Sequence, residues 1–145
     1  MIDDLINSLE ALDVKEVWKQ ALQDNEEFIV ELNSEDQLFE KGINSQGVSI
    51  ADYKPYTPFS VKIKKEKGQP TGRVTLRDEG DFHLSFYLAI SDDEMEIKAS
   101  DEKVGSLSRK YGESILGLTE SNLNEVVEVY VRPAVEQAFK KALQL

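Results

Sequence analysis

Two spacings of apolar residues organise the chain. Ile2, Leu5, Ile6, Leu9 and Leu12 recur at intervals of three and four, the period of one helix face. Asp13 follows with Glu16 three residues on, the pattern of a helix N-terminus, and Val17, Trp18, Ala21 and Leu22 resume the apolar stripe. The spacing therefore predicts helix over 2–23 with a break near Asp13. The stretch EEFIVEL at 26–32 fits either helix or strand. SEDQLFEKG at 34–42 predicts a further helical turn or two, capped by Ser34 and ended by Gly42.

Past Ile43 the periodicity fails. Asn44, Gly47, Pro55, Pro58, Gly68, Pro70 and Gly72 punctuate the run to 72, which predicts an extended loop or arm. Within it PFSVKIKK (58–65) alternates like a strand, and RVTL (73–76) reads as another short one. From Phe82 the period is two: Phe82, Leu84, Phe86, Leu88 and Ile90 on one side, His83, Ser85, Tyr87 and Ala89 on the other. SDDE (91–94) then turns the chain into Met95, Ile97 and Ala99, so 83–90 and 94–99 predict a hairpin. DEKVGSLSRKYG predicts a short helix ended by Gly112, and ILGL (115–118) an apolar loop. Thr119 or Ser121 caps a long final helix whose face carries Leu123, Val126, Val127, Tyr130, Ala134, Ala138, Phe139 and Ala142, with a kink expected at Pro133.

Helices, then strands, then helices make an α+β fold: a small antiparallel sheet packed against N-terminal and long C-terminal helices, with an extended basic arm. The chain reads as one domain over 1–145, with a helical part at 1–42, the arm at 43–75, strands and hairpin at 76–100, and helices at 101–145. The charged knot before the hairpin reads as a corner. Gly80 allows a sharp turn, Asp81 caps a helical turn starting there, and Phe82 and Phe86, four apart, plug the core.

Charge sharpens this picture. The net charge is −11, but residues 1–50 carry 12 acidic against 3 basic groups while residues 51–75 carry 2 against 6. An acidic body with one basic segment argues against general nucleic-acid binding, which needs a dense cationic surface. The basic segment interleaves Tyr53, Tyr56 and Phe59 with Lys54, Lys62, Lys64, Lys65, Lys67 and Arg73. Three readings stand, in this order: a solvated arm with aromatics packed back on the core; an arm reaching an acidic surface on another copy of the chain; and a stacking platform for single-stranded nucleic acid. The absence of cysteine excludes disulfides, thiolate metal sites and cysteine nucleophiles. No apolar run approaches the roughly 20 residues of a membrane span, and the start is acidic and amphipathic rather than signal-like, so an intracellular, soluble protein is expected.

Catalytic candidates are sparse. His83 is the only histidine, and the strand alternation places it on the outer face. Asp92, Asp93, Glu94 and Glu96 read as a solvated turn rather than a calcium loop. No phosphate loop, nucleophile elbow or zinc motif is present. The expectation is a non-enzyme with no cofactor and no metal.

The order of motifs, QLFEKGINSQG (37–47), YKPYT (53–57), lysines, LRDEGDFHLSF (76–86), a hairpin and KYGESILGLT (110–119), resembles the tail-completion and virion-morphogenesis proteins of tailed phages, the head–tail joining or neck proteins. The family pattern L-x-x-T-G-x-L-x-x-S-[IF] falls on Leu76, Glu79, Gly80, Phe82, Ser85 and Phe86. Glu79 replaces the usual threonine and Phe82 the usual leucine; Tyr111 and Gly112 match the later tyrosine–glycine pair. The resemblance spans about residues 35–120 and adds Leu76 and Ser85 to the corner. It implies a structural virion protein acting in a homo-oligomeric ring, hexamer or dodecamer, between portal or adaptor and tail-tube proteins. It implies residence in the virion neck, and in host cytoplasm during assembly, with DNA passing through the channel and no specific nucleic-acid or membrane binding. The competing reading, from charge alone, is an acidic binding module or DNA mimic docking on a basic partner.

Overall fold

The computed structural model describes residues 1–143. The last two residues of the expected C-terminal helical part lie outside them. The described residues are mainly helical, with one two-stranded antiparallel sheet, which is the α+β class in outline.

Helix α1 (Ile2–Glu10) and helix α2 (Val14–Asp24) are separated at Asp13, whose carboxylate accepts the Glu16 N–H. The expected break and cap are both there. The segment open to helix or strand is helix α3 (Glu26–Glu31), its first turn acidic as the helix dipole favours. It does not stop for a new cap at Ser34. The chain continues through a wider, π-helical stretch, Leu32–Lys41, and Ser34 Oγ donates back to the Val30 carbonyl at 3.3 Å. Gly42 ends this stretch in the left-handed region (φ +64°), and the Gly42 and Ile43 N–H groups close on the Leu38 and Gln37 carbonyls.

The expected extended arm is largely absent. A tight loop gathers on buried Asn44, whose Oδ1 accepts the Gln46 and Val48 N–H groups. Helix α4 (Ile50–Tyr53) follows, and then helix α5 (Pro58–Glu66) stands where a strand arm was expected. Thr57 caps α5 by accepting the Ser60 N–H, and Pro58 opens its first turn with φ already set. Residues 73–76 form no strand and join no ladder. Val74 and Thr75 are buried, and side chains from elsewhere bond both main-chain groups of Thr75.

The turn at helix α6 (Asp81–Leu84) replaces the first part of the expected strand. The hairpin is therefore strand β1 (Phe86–Ile90) and strand β2 (Met95–Ala99), paired with Leu88 opposite Ile97. Leu84, expected inside, is 84% exposed, because a helical turn breaks the two-residue alternation. The free edge of β1 faces α3, where the Glu26 carboxylate accepts the Leu88 N–H at 2.9 Å.

Helix α7 (Val104–Tyr111) ends at Gly112, and a 3₁₀ turn (Glu113–Ile115) leads into the loop 116–119. Thr119 caps helix α8 (Glu120–Val126) by accepting the Asn122 N–H. The chain widens to π-helical turns at Val127–Val131 and resumes as helix α9 (Arg132–Ala142). The widening sits just before Pro133, where the missing N–H and the ring disturb an α-helical ladder. This final helical run packs on α1 and α2. The core joins Leu22, Ile29, Leu38, Ile50, Val74, Phe82, Phe86, Leu88, Ile97, Ile115 and Val126.

Candidate functional site

The basic residues divide into two groups. Tyr56, Lys64, Lys67 and Arg73 turn inward. Tyr56 Oη accepts the Thr75 N–H at 3.0 Å. Lys64 Nζ donates to the Arg77 carbonyl at 3.2 Å and lies 4.9 Å from the centre of the Tyr56 ring. Lys67 donates to the Asp78 carboxylate at 2.7 Å; with a hydrogen bond from Gln69, this holds the Asp78 carboxyl below its ordinary range. Arg73 and Arg77 lie over the Phe39 ring, 5.5 and 4.3 Å from its centroid, and Arg77 forks onto Glu35. Tyr53 donates to the Tyr111 carbonyl at 2.8 Å. Tyr56, Lys64 and Lys67 thus clamp the segment 73–78, Tyr53 is tied to the end of α7, and none of them is a free projection. The expectation of one loose cationic arm is corrected accordingly. The sequence is contiguous, but α5 and the loop after it fold back over the chain they precede.

Lys54, Phe59, Lys62 and Lys65 remain outward. None of the three lysines has an ion-pair partner among the described residues, and Phe59 is 72% exposed. Phe59, Lys62 and Lys65 are three apart on α5 and share one side of it.

The corner residues assemble, with changed roles. Gly80 takes φ +95° and starts α6, a backbone conformation that favours glycine. Asp81 lies in the first turn, exposed, and its side chain caps nothing. Leu76 carries φ +56°, a conformation uncommon for a side chain of its size. Phe82 and Phe86 meet edge to face with centroids 5.0 Å apart, and Ser85 Oγ donates to the Phe82 carbonyl at 2.7 Å.

His83 lies inside rather than on an outer face, at 5% exposure. The helical turn swings it beside Phe82 and Phe86, not opposite them. It borders a cavity of about 330 Å³ whose wall also holds Glu26, Glu27, Glu31, Glu35 and Arg77. Its Nε2 is 3.0 Å from the Thr75 carbonyl, which only accepts, so Nε2 carries the proton. Nδ1 is buried and has no partner among the described residues. Burial, with Arg77 nearby, pulls the imidazole down to about 4. Two of the glutamates are committed elsewhere, Glu26 to Leu88 and Glu35 to Arg77. A general base needs a nitrogen within reach of a substrate proton. In His83 one nitrogen is bonded to the backbone and the other is closed off.

A second polar assembly was not foreseen from the sequence. Asn33 and Gln37, four residues apart in the π-helical stretch, read the backbone of the loop after α7. Asn33 donates to the Ile115 carbonyl (3.0 Å) and accepts the Gly117 N–H (2.8 Å). Gln37 donates to the Gly117 carbonyl (2.8 Å) and accepts the Thr119 N–H (2.9 Å). Asn122 then donates to Gln37 Oε1 and to Asp36. All three amides are buried, and all are bonded. The only signal in the sequence was a pair of amides at helical spacing.

Comparisons with protein-family models, curated proteins and solved structures find no match for this chain.

Proposed function

We propose that this chain is a structural assembly protein of a phage virion, acting at the head–tail interface as a tail-completion or neck component through protein–protein contacts in an oligomeric ring. The motif order over about residues 35–120 supports the family reading. The observation that carries the mode of action is the α5 face: an aromatic ring 72% exposed, flanked by the unpaired Lys62 and Lys65, on an otherwise acidic chain. On α3, Glu27 and Glu31 are exposed and free of ion pairs among the described residues, and they flank the half-exposed Phe28. Two different patches of opposite charge on one chain favour head-to-tail contact, the kind of contact that makes a ring when its rotation closes. The remaining partners are the portal or adaptor proteins and the tail-tube proteins on either side.

Sedimentation velocity and electron microscopy of the wild type and of Lys62→Glu/Lys65→Glu, each with and without a candidate connector, test the reading. At low micromolar concentration, ring-sized species for the wild type and a folded monomer for the variant are expected. Equal assembly of the two proteins removes the support.

A further inference from the structure

The sheet has one covered edge and one bare one. On the β1 side, α3 packs across and Glu26 takes the Leu88 N–H. The pairing phase fixes what faces outward on β2. Leu88 directs its N–H away from β2, so Leu88–Ile97 is a non-hydrogen-bonded pair; the Ser100 N–H to Ser85 carbonyl bond at 3.1 Å agrees with that phase. Met95, Ile97 and Ala99 therefore direct N–H and C=O out of the sheet, and none of these groups has a partner among the described residues. Beside this edge runs a groove of about 570 Å³, bordered by Leu116, Leu118 and Leu123. Bare strand edges template pairing with another strand.

We propose that the β2 edge binds the β2 edge of a second copy, antiparallel, about a two-fold axis at Ile97, to make a continuous four-stranded sheet. The choice of occupant rests on charge. With the axis at Ile97, the outward groups of Met95, Ile97 and Ala99 meet those of Ala99, Ile97 and Met95 of the partner copy. The non-hydrogen-bonded pairs between them, where side chains come closest, are then Glu96 opposite the partner's Lys98 and Lys98 opposite the partner's Glu96. Moving the axis one residue toward the turn sets Glu96 opposite the partner's Glu96, and moving it one residue the other way sets Lys98 opposite the partner's Lys98; at two residues, Glu96 meets Glu94 on the turn side and Lys98 meets Ser100 on the other. One register alone pairs opposite charges at both positions. In the single chain Glu96 and Lys98 are each 52% exposed and 3.8 Å apart on the same face, available to a partner. The contact is isologous and uses none of the α5 residues, so it stands apart from the ring contact proposed above. Five residues a side is a small interface, so association in the high micromolar range is expected.

Charge exchange tests it. Sedimentation equilibrium at concentrations up to about 500 μM is run in the Lys62→Glu/Lys65→Glu background, which isolates this contact from the ring. The parent is expected to dimerise. Glu96→Lys alone sets lysine against lysine and Lys98→Glu alone sets glutamate against glutamate; each is expected to weaken dimerisation roughly tenfold or more. An equimolar mixture of the two single variants restores opposite pairs and is expected to form heterodimers, and Glu96→Lys/Lys98→Glu in one chain is expected to recover the parent affinity. Both side chains are exposed, so thermal melts should coincide and exclude misfolding as the cause. A parent monomeric throughout, single variants that dimerise like the parent, or a mixture that stays monomeric overturns the proposal.

Discussion

His83 donates from Nε2 to the Thr75 carbonyl at 3.0 Å, and in doing so it fixes the irregular segment that also hangs from Tyr56 Oη by the Thr75 N–H. One residue of irregular backbone, itself fully buried, thus has both its main-chain groups satisfied by aromatic side chains from different parts of the chain. Protonating the ring would place a charge in a buried site beside Arg77, which is why its pKa falls to about 4.

This fixes the sign of a pH effect. The unfolded chain takes up a proton on His83 as pH falls below about 6.5, while the folded chain does so only near 4. The stabilisation is complete above the unfolded value and is lost as pH falls through that window. The full effect is about 3 kcal/mol. Urea denaturation at pH 7, 5 and 4 should show the wild type losing more stability than His83→Phe over the same range; parallel losses would assign the acid sensitivity to carboxylates instead.

Gln37 joins the π-helical stretch to the loop before α8 with bonds to Gly117 and Thr119. Gln37→Leu keeps the volume but leaves the Gly117 carbonyl and the Thr119 N–H without their partner and takes one of two acceptors from the Asn122 amide. A loss of roughly 3 kcal/mol is expected from chemical denaturation. A loss near zero would mean that water replaces the amide.

Gly42 and Gly80 both have positive φ, but their surroundings differ. A Cβ at Gly42 would lie 2.8 Å from Arg73 Cβ and 3.2 Å from the Val74 carbonyl oxygen, whereas at Gly80 the nearest atom is 4.0 Å away. Gly42→Ala should therefore lower the melting temperature well beyond Gly80→Ala, which carries only backbone strain of about 1 kcal/mol. Similar melting temperatures for the two variants would contradict the close approach.

Neither α1 nor α5 contains a buried residue, but α5 and the loop behind it are tied down by Thr57, Lys64, Lys67 and Gln69. A broad-specificity protease should cut within residues 1–12 before it cuts within 62–72. Mass spectrometry of the early fragments decides the order.

The helix at 58–66 was legible in principle. Thr57 followed by Pro58 is a cap and a first helical turn, yet the prolines around it read equally as breakers, and Val61 and Ile63 mimic a strand. His83 departs from its expected face for a related reason. The two-residue alternation in the sequence runs back into Asp81–Leu84, but a single helical turn there places the imidazole in the core. The clamp on residues 73–78 joins residues up to 42 apart in the chain, and no local spacing signals it.

Local chemistry in the chain was enough to define the cap at Asp13, a cap at Thr119 or Ser121, the stops at Gly42 and Gly112, the hairpin and the acidic balance, since each depends on a few neighbouring residues and a short-range hydrogen bond or charge. Tertiary packing alone decided which lysines stay outward, that the lone histidine lies in the interior, that Asn33 and Gln37 hold a loop some eighty residues further along, and that one sheet edge is covered by Glu26 while the other is bare. Those outcomes depend on which surfaces meet when the chain closes on itself. Burial, desolvation and hydrogen-bond completion across long separations act only once that meeting has occurred.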